Sequence, residues 1–143
     1  MSPWPVKYLR RIRYSDVDSQ GIVFNGNYLT YYDDAITDLF LAAGISAADM
    51  HDAGYDVVTA HATIDFKATA ALFEDMEIGV RIGKFGNTSL TFELESHVGA
   101  RVTTTARIVY VTVDAETFRP VTVPDAFKTA MQAVHTDPIP GSA

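Results

Sequence analysis

Apolar and polar side chains alternate along five segments of the chain, and this period of two residues predicts β-strands. The segments are residues 6–14, 57–66, 76–83, 89–95 and 101–110. Turn sequences at 84–87 and 98–100 separate the last three segments and predict hairpins between them. Alternation over such lengths is typical of an antiparallel sheet with one apolar face.

The alternation also predicts which side chains of each strand face the core. In the first strand they are Val6, Tyr8, Arg10, Ile12 and Tyr14, and in the second they are Val58, Ala60, Ala62, Ile64 and Phe66. In the other three they are Met76, Ile78, Val80 and Ile82, then Leu90, Phe92 and Leu94, and finally Val102, Thr104, Ala106, Ile108 and Tyr110. Together these sets are expected to form one side of the sheet.

Residues 28–43 instead carry apolar side chains every three or four positions. This spacing predicts an amphipathic helix about 24 Å long, at roughly 1.5 Å per residue. We expect Asn25 or Asn27 to cap its start and Gly44 to end it in a left-handed conformation. A short helix is predicted from Pro124 to about Val134, and the Pro- and Gly-rich tail 136–143 is expected to fray.

The resulting order, β-α-β-β-β-β, predicts a single α+β domain over residues 1–143. One long helix would lie on one face of a five-stranded antiparallel sheet. A single helix cannot cover such a sheet, and the edge strands are long. Both features predict that the chain assembles with copies of itself, as a homodimer or a homotetramer.

Composition excludes several classes of function. The 143 residues include no Cys, so we expect no disulfide, no thiolate nucleophile and no Cys-bound metal. The four histidines lack metal-ligand spacing, and no metal is expected. Without a long apolar run or a secretion signal, the chain is expected in the cytoplasm rather than in a membrane. A net charge of −7 without a large cluster of bases disfavours nucleic-acid binding.

The segment with the clearest chemical potential is residues 16–28, just before the long helix. It places the carboxylates of Asp16 and Asp18 close to a helix start, where main-chain N–H groups are free and the helix dipole is positive. Such a start suits an oxyanion or a polarised carbonyl. Gly21 and Gly26 would let a ligand approach the backbone closely.

Two other interpretations of this segment remain open at this point. Asp16 and Asp18 are also typical turn residues that bond to their own backbone. Asp16, Asp18 and Gly21 imitate the first half of a calcium-binding EF-hand loop. Position twelve of that loop is Asn27, where a bidentate Glu is required, so calcium is disfavoured.

Residues 8–40 resemble the start of the hot-dog-fold acyl-CoA thioesterases, in particular the 4-hydroxybenzoyl-CoA thioesterase and YbgC-like group. That group carries D-x-x-G-[IV]-V-[FYW], then a short stretch ending in N-Y or H-Y that opens the long helix. Here the sequence reads Asp18-Ser19-Gln20-Gly21-Ile22-Val23-Phe24-Asn25-Gly26-Asn27-Tyr28. The element order predicted above is also the hot-dog order. The resemblance implies an enzyme that hydrolyses an acyl thioester to a carboxylic acid and a thiol.

The resemblance implies roles for two residues directly. Asp18 matches the catalytic carboxylate of the family, which acts as a nucleophile or as a general base for water. Asn25 stands where many relatives have His or Tyr, and where a backbone N–H points at the thioester carbonyl. Since an amide cannot exchange protons as His does, Asn25 is expected to contribute its N–H and to orient substrate or water.

The substrate is expected to contact the same loop. By family analogy Phe24 and Tyr28 line the acyl channel at a subunit junction, although packing in the core is the simpler role for Tyr28. The substrate would be an acyl-CoA or an acyl-carrier thioester, with no cofactor beyond the coenzyme A of the substrate. Candidate contacts for its phosphates, among which the sequence does not choose, are Lys67, Arg81, Lys84, Arg101 and Arg107.

Two rival functions fit the same fold, since one fold hosts many activities. A non-catalytic or regulatory acyl-thioester-binding module is consistent with the absence of His or Tyr at position 25. A hot-dog hydratase or dehydratase would carry a catalytic His on or near the long helix. No His lies between residues 1 and 50, which argues against the hydratase.

Overall fold

The structure is a computed structural model, and it describes residues 3–142. Its strands are β1 (Val6–Arg11), β2 (Tyr55–Phe66), β3 (Asp75–Phe85), β4 (Ser89–Val98) and β5 (Arg101–Asp114). Its α-helices are α1 (Asn27–Ala42), α2 (Ala47–Asp52) and α3 (Asp125–Val134), and a 3-10 turn covers Tyr14–Asp16.

The five strands form one antiparallel sheet in the order β1-β3-β4-β5-β2. Helix α1 lies on one face of this sheet, where Tyr32, Ala35 and Leu39 have no solvent exposure. Ile78 and Leu90, from β3 and β4, are equally buried beneath it. The predicted α+β arrangement of one long helix on a five-stranded antiparallel sheet is confirmed.

Strand β2 departs from the predicted alternation at a β-bulge. Thr59 pairs with Tyr110 but His61 pairs with Val109, so Ala60 has no partner of its own. Paired residues share a face, and an extra residue therefore moves the following side chains to the other face. The prediction is right for the three inward residues after the bulge and wrong before it. The residues on the sheet face that carries α1 are Tyr55, Val57, Thr59, Ala62, Ile64 and Phe66.

Strand β5 has a similar bulge at Thr103. Ser96 pairs with Thr104 but His97 pairs with Val102, so Thr103 has no partner of its own. Val102 therefore lies on the face opposite to Thr104, and the prediction that it faces the core is wrong.

Strand β1 ends at Arg11, three residues earlier than predicted. Its partner β3 begins at Asp75, opposite Arg11, so no strand remains to pair with the following residues. The chain turns instead, and the backbone N–H of Arg13 donates to the Asp16 carboxylate at 2.8 Å. The prediction that Tyr14 faces the core is wrong. Its side chain is 73% exposed and makes an edge-to-face contact with Phe73, with ring centroids 5.5 Å apart.

The predicted helices are present, but the start of α1 is not capped by an asparagine side chain. Gly26 is the N-cap residue and makes no side-chain hydrogen bond. The amide of Asn27 instead donates to the main-chain carbonyl of Asp16, at 2.9 Å. Gly44 adopts the expected left-handed conformation with a φ of 73°. Helix α2 was not predicted, although Ser46 and Asp49 form a capping box at its start.

The C-terminal segment does not fray over the residues that the structure describes. Ile139 is 3% exposed, and its N–H donates to the side chain of Gln132 at 2.7 Å. The carbonyl of Pro140 accepts from the N–H of Phe85 at 2.8 Å. The burial of Ile139 and these two hydrogen bonds fix the segment on the fold. The expectation that the described part of the tail frays is therefore wrong. Residue 143 lies outside the described residues.

No helix within residues 3–142 has the length and apolarity needed to cross a membrane.

Candidate active site

The loop that links β1 to α1 folds back on itself as a short hairpin. Val17 and Val23 form a β-bridge, and the N–H of Asp18 donates to the carbonyl of Ile22 at 3.0 Å. The turn closes through Gly21, whose N–H donates to the carbonyl of Asp18 at 3.0 Å. Gly21 has a φ of 75°, which side chains disfavour, so the turn needs glycine there. This hairpin carries Asp18 and Gly21, and the residues that link it to α1 include Phe24, Asn25 and Gly26.

Asp18 is partly exposed at the end of the hairpin. One carboxylate oxygen accepts the N–H of Gln20 at 2.8 Å, the local bond of a turn-forming Asp. The other oxygen has no hydrogen-bond partner, and the carboxylate forms no ion pair, within residues 3–142. Asp18 therefore acts as a turn residue through one carboxylate oxygen, and its other oxygen is free to contact a ligand.

Two main-chain donors are free where α1 begins. The N–H of Phe24 donates to the carbonyl of Asp16 at 3.0 Å, and the N–H of Asn27 donates to the carbonyl of Phe24 at 2.9 Å. Between them, the N–H groups of Asn25 and Gly26 donate to no acceptor in the described part of the chain. They lie at the positive end of a 16-residue helix, where free donors favour a developing negative charge.

Phe24 and Gly26 shape the surface at this helix start. The ring of Phe24 is 52% exposed and lies close to Gly26. A Cβ atom added at Gly26 would come within 2.8 Å of a ring carbon of Phe24. Glycine at this position therefore keeps Phe24 against the start of the helix.

Tyr28 lies in the core of the single chain rather than at its surface. It is 3% exposed, and its ring centroid lies 5.8 Å from that of Phe66 and 5.9 Å from that of Tyr31. Burial raises the pKa of Tyr28 above its ordinary value, against a hydrogen bond with Thr103 and the charge of Arg101. Asp18, Phe24, Asn25 and Gly26 thus lie in the loop between β1 and α1, and Tyr28 lies in the core behind it.

Asp16 has a different environment, which the sequence interpretation as a turn residue missed. It is 3% exposed, and Arg10 donates to it from Nε at 3.1 Å and from Nη2 at 2.6 Å. The hydroxyl of Tyr31 donates to the same oxygen at 2.5 Å. Burial opposes ionisation of Asp16, but these bonds and the N–H of Arg13 outweigh it and hold its pKa below the usual range. The sequence signal was the inward position of Arg10, because a buried base requires an acid.

The candidate phosphate-binding bases are mostly paired with acids. Arg81 and Arg107 contact Glu93, with N–O distances of 3.1 and 3.8 Å, and Arg101 contacts Glu74 at 2.7 Å. Lys67 and Lys84 form no ion pair within residues 3–142. Lys67 directly follows Phe66, whose ring touches Tyr28 in the first turn of α1.

Within residues 3–142, no three His, Asp or Glu side chains lie close enough together to hold a metal ion.

A mainly apolar cavity of about 380 Å³ runs along α1, between this helix, α2 and β2. Its lining includes Ile36, Phe40, Met50 and Val57. The hydroxyl of Tyr110 donates to the carboxylate of Asp33 at 3.1 Å at its polar end. Asp33 lies six residues after Asn27, about 9 Å along the helix axis at roughly 1.5 Å per residue.

Part of the sequence is similar to the sequences of two named proteins. The acyl-CoA thioester hydrolase YbgC of Escherichia coli O6:H1 is 29% identical over 89 residues, which are 62% of this chain and 63% of that protein. A putative esterase of Aquifex aeolicus is 27% identical over 88 residues, which are 62% of this chain and 69% of that protein. The match therefore spans less than two thirds of the length of the E. coli protein.

Solved structures share the fold over nearly the whole chain. A thioesterase of Thermus thermophilus in complex with coenzyme A and Zn has a TM-score of 0.83 at 25% identity, over 96% of this chain and 99% of that chain. A 1,4-dihydroxy-2-naphthoyl-CoA thioesterase from Synechocystis has a TM-score of 0.80 at 19% identity, over 89% of this chain and 95% of that chain. The predicted hot-dog fold is confirmed by these neighbours.

The family is shown by a profile match that covers most of the chain. The profile of the thioesterase-like superfamily matches residues 12–131, which contain the hairpin, the start of α1 and the strands β2 to β5. The chain belongs to the thioesterase-like superfamily, and its fold and family are those of a thioesterase.

Proposed function

We propose that this protein hydrolyses an acyl-CoA, or a related acyl thioester, to a carboxylic acid and a thiol. One observation carries the proposal. The loop between β1 and α1 carries both the carboxylate of Asp18, one oxygen of which is free, and the free N–H groups of Asn25 and Gly26 at the start of α1. The names of the E. coli relative and of the coenzyme A complex from Thermus thermophilus support coenzyme A as the thiol.

The chemistry needs few groups because a thiolate is a good leaving group. The thioester carbonyl oxygen would accept the N–H groups of Asn25 and Gly26, which stabilise the negative charge that develops there. Asp18 either attacks the carbonyl carbon and expels the thiolate, giving an anhydride that water cleaves, or takes a proton from an attacking water molecule. The side chain of Asn25 would orient substrate or water.

The acyl group would extend from the helix start along α1. Phe24 would contact its first atoms, and the apolar cavity beside Ile36 and Phe40 offers room beyond. Lys67 is the candidate for a phosphate of coenzyme A, because it has no ion pair in the described chain and directly follows Phe66, whose ring touches Tyr28 in the first turn of α1. The reaction needs no cofactor beyond the coenzyme A of the substrate, and the cytoplasmic location stays a prediction.

A second copy of the chain would complete the site. Strand β2 lies at the edge of the sheet, and the side chains of residues 58–63 are exposed. Phe66 and Leu29, which flank the start of α1, are 53% and 48% exposed. An open edge and apolar side chains at one place are typical of a surface that another chain covers. We therefore propose a homodimer or a homotetramer that forms through this edge.

The test is thiol release from acetyl-, palmitoyl- and benzoyl-CoA, with wild type, Asp18→Ala and Asp38→Asn. Asp38 is a matched control, an acid on the polar face of α1 with no hydrogen bond in the described chain. We expect the wild type and Asp38→Asn to release thiol, and Asp18→Ala to lose on the order of 10² to 10⁴ in turnover. Saturable binding of acyl-CoA without release by the wild type would contradict the proposal and favour the binding module.

A further inference from the structure

The buried carboxylate of Asp16 lies close to the site loop, two residues before Asp18, and contacts nothing that would bind substrate. We propose that Asp16, clamped by Arg10 and Tyr31, is a positioning residue that fixes the Asp18 hairpin and the free N–H groups of Asn25 and Gly26 relative to α1. This inference rests on the thioesterase function proposed above. It assigns a role to three residues outside the site itself.

The carboxylate ties together three separate parts of the chain. One oxygen accepts both guanidinium bonds from Arg10 of β1 and the hydroxyl of Tyr31, one turn into α1. The other oxygen accepts the N–H of Arg13 at 2.8 Å, in the 3-10 turn. The guanidinium carbon of Arg10 also lies 4.5 Å from the centre of the Tyr31 ring. Strand, turn and helix are thus fixed to one residue by directional bonds.

The main chain of Asp16 carries the connection to the site loop. Its carbonyl accepts the N–H of Phe24 at 3.0 Å and the side-chain amide of Asn27 at 2.9 Å. Phe24 directly precedes Asn25, and Asn27 directly follows Gly26, so the two bonds bracket the free donors. Any shift of Asp16 therefore moves both sides of the proposed oxyanion site.

The energetics favour a role in geometry over a role in stability alone. A buried ion pair is a weak source of net stability, because desolvating the charges offsets most of their attraction. Apolar side chains could join β1 to α1 equally well. Hydrogen bonds to one carboxylate fix direction as well as contact, and a displacement of about 1 Å can cost on the order of 10²-fold in rate.

Tyr31→Phe isolates this role, because it removes one hydroxyl and leaves the packing intact. We expect kcat to fall about tenfold while KM for the acyl-CoA stays within about twofold, since substrate contacts are unchanged. The matched control is Tyr32→Phe. Tyr32 is the next residue of α1, is fully buried, and shares its hydroxyl with Thr104 of β5 rather than with the loop.

Asp16→Asn supplies a second variant with a larger expected effect. Both oxygens of the carboxylate face groups that only donate, so the NH2 group of an asparagine must point at the N–H of Arg13 or at the guanidinium of Arg10. We expect kcat to fall on the order of 10²-fold. Far-UV circular dichroism checks that the variant is folded, and Tyr31→Phe decides the question if it is not.

The outcomes separate this inference from the function on which it rests. A loss of kcat in Tyr31→Phe, with Tyr32→Phe like the wild type and the two melting temperatures similar, supports a positioning role. Wild-type kcat in Tyr31→Phe, or an equal loss in Tyr32→Phe, overturns it while Asp18-dependent hydrolysis stands. If the wild type releases no thiol, the proposed function itself fails.

Discussion

Asp16 and Asp18 are separated by one residue, yet the structure gives their carboxylates opposite surroundings. Asp16 is 3% exposed and accepts four side-chain and main-chain bonds, from Arg10, Tyr31 and Arg13. Asp18 is partly exposed and accepts one bond, from Gln20. A carboxylate whose two oxygens both accept hydrogen bonds is suited to hold structure. A carboxylate with one oxygen free of protein partners is suited to react. The family motif assigns the reactive role to Asp18, whereas only burial and partners reveal the structural role of Asp16.

Substituting each carboxylate by alanine gives the largest expected contrast in stability. Asp16→Ala leaves Arg10 without its partner, and breaking such a pair should lower the free energy of unfolding by about 3 kcal/mol, since Arg10 keeps some contact with water. Asp18→Ala removes one local bond and should cost about 0.5–1 kcal/mol. Urea unfolding of both variants measures the difference. Equal losses would remove the structural distinction between the two residues.

Low pH should weaken the contact between Asp16 and Arg10. The expected loss in the free energy of unfolding is smaller than that caused by Asp16→Ala. Because the folded pKa of Asp16 lies below its ordinary value, the carboxylate adds stability at pH values above about 4, and this stability is lost as the pH falls through the folded pKa. Unfolding free energies of the wild type and of Asp16→Asn, measured from pH 7 to pH 2, should therefore converge at low pH. A constant gap between the two curves would contradict this assignment.

Titration of His135, which lies away from the proposed site, should have the smallest effect on stability. Its Nδ1 donates to the carbonyl of Met131 at 2.7 Å and its Nε2 accepts the N–H of Ile82 at 3.0 Å, an arrangement that only the neutral ring allows. Burial lowers the pKa of His135, and the charge of Arg81 adds to this against the bond to Met131. Its stability contribution is complete above pH of about 6.5 and declines as the pH falls below that value.

The check is the melting temperature of the wild type and of His135→Gln between pH 7.5 and pH 5. The wild type should lose a small part of its advantage over the variant across this range. Turnover should stay equal in the two proteins at pH 7.5, since His135 follows α3 and contacts Met131 and Ile82 rather than a site residue. An advantage that grows as the pH falls would show that the ring is charged in the fold.

The sheet was predictable from sequence because burial imposes alternation on most of strands β3, β4 and β5, with register shifts at Gly83 of β3 and Thr103 of β5. Strand β2 was predictable only in part, since Thr59, Ala60 and His61 carry no hydrophobic contrast that would reveal the bulge. The C-terminal segment was missed because Ile139 is a single apolar residue among prolines and polar residues.

The candidate site was predictable as a segment but not as a set of roles. The spacing of Asp18, Gly21 and Asn25 before an amphipathic helix identified the loop. The family motif identified Asp18 as the reactive acid, but it did not reveal the buried role of Asp16, because the partners of Asp16 come from β1 and from α1. Such contacts depend on three elements meeting in space, which a local pattern does not encode.

The most direct measurement is the rate of thiol release by Asp18→Asn, with the acyl-CoA that the wild type cleaves fastest at saturating concentration. The substitution keeps the size of the side chain and the turn bond from Gln20, so the fold and the melting temperature should be retained. The account predicts a fall in kcat on the order of 10²-fold or more. A folded Asp18→Asn protein that turns over acyl-CoA at the wild-type rate would contradict it.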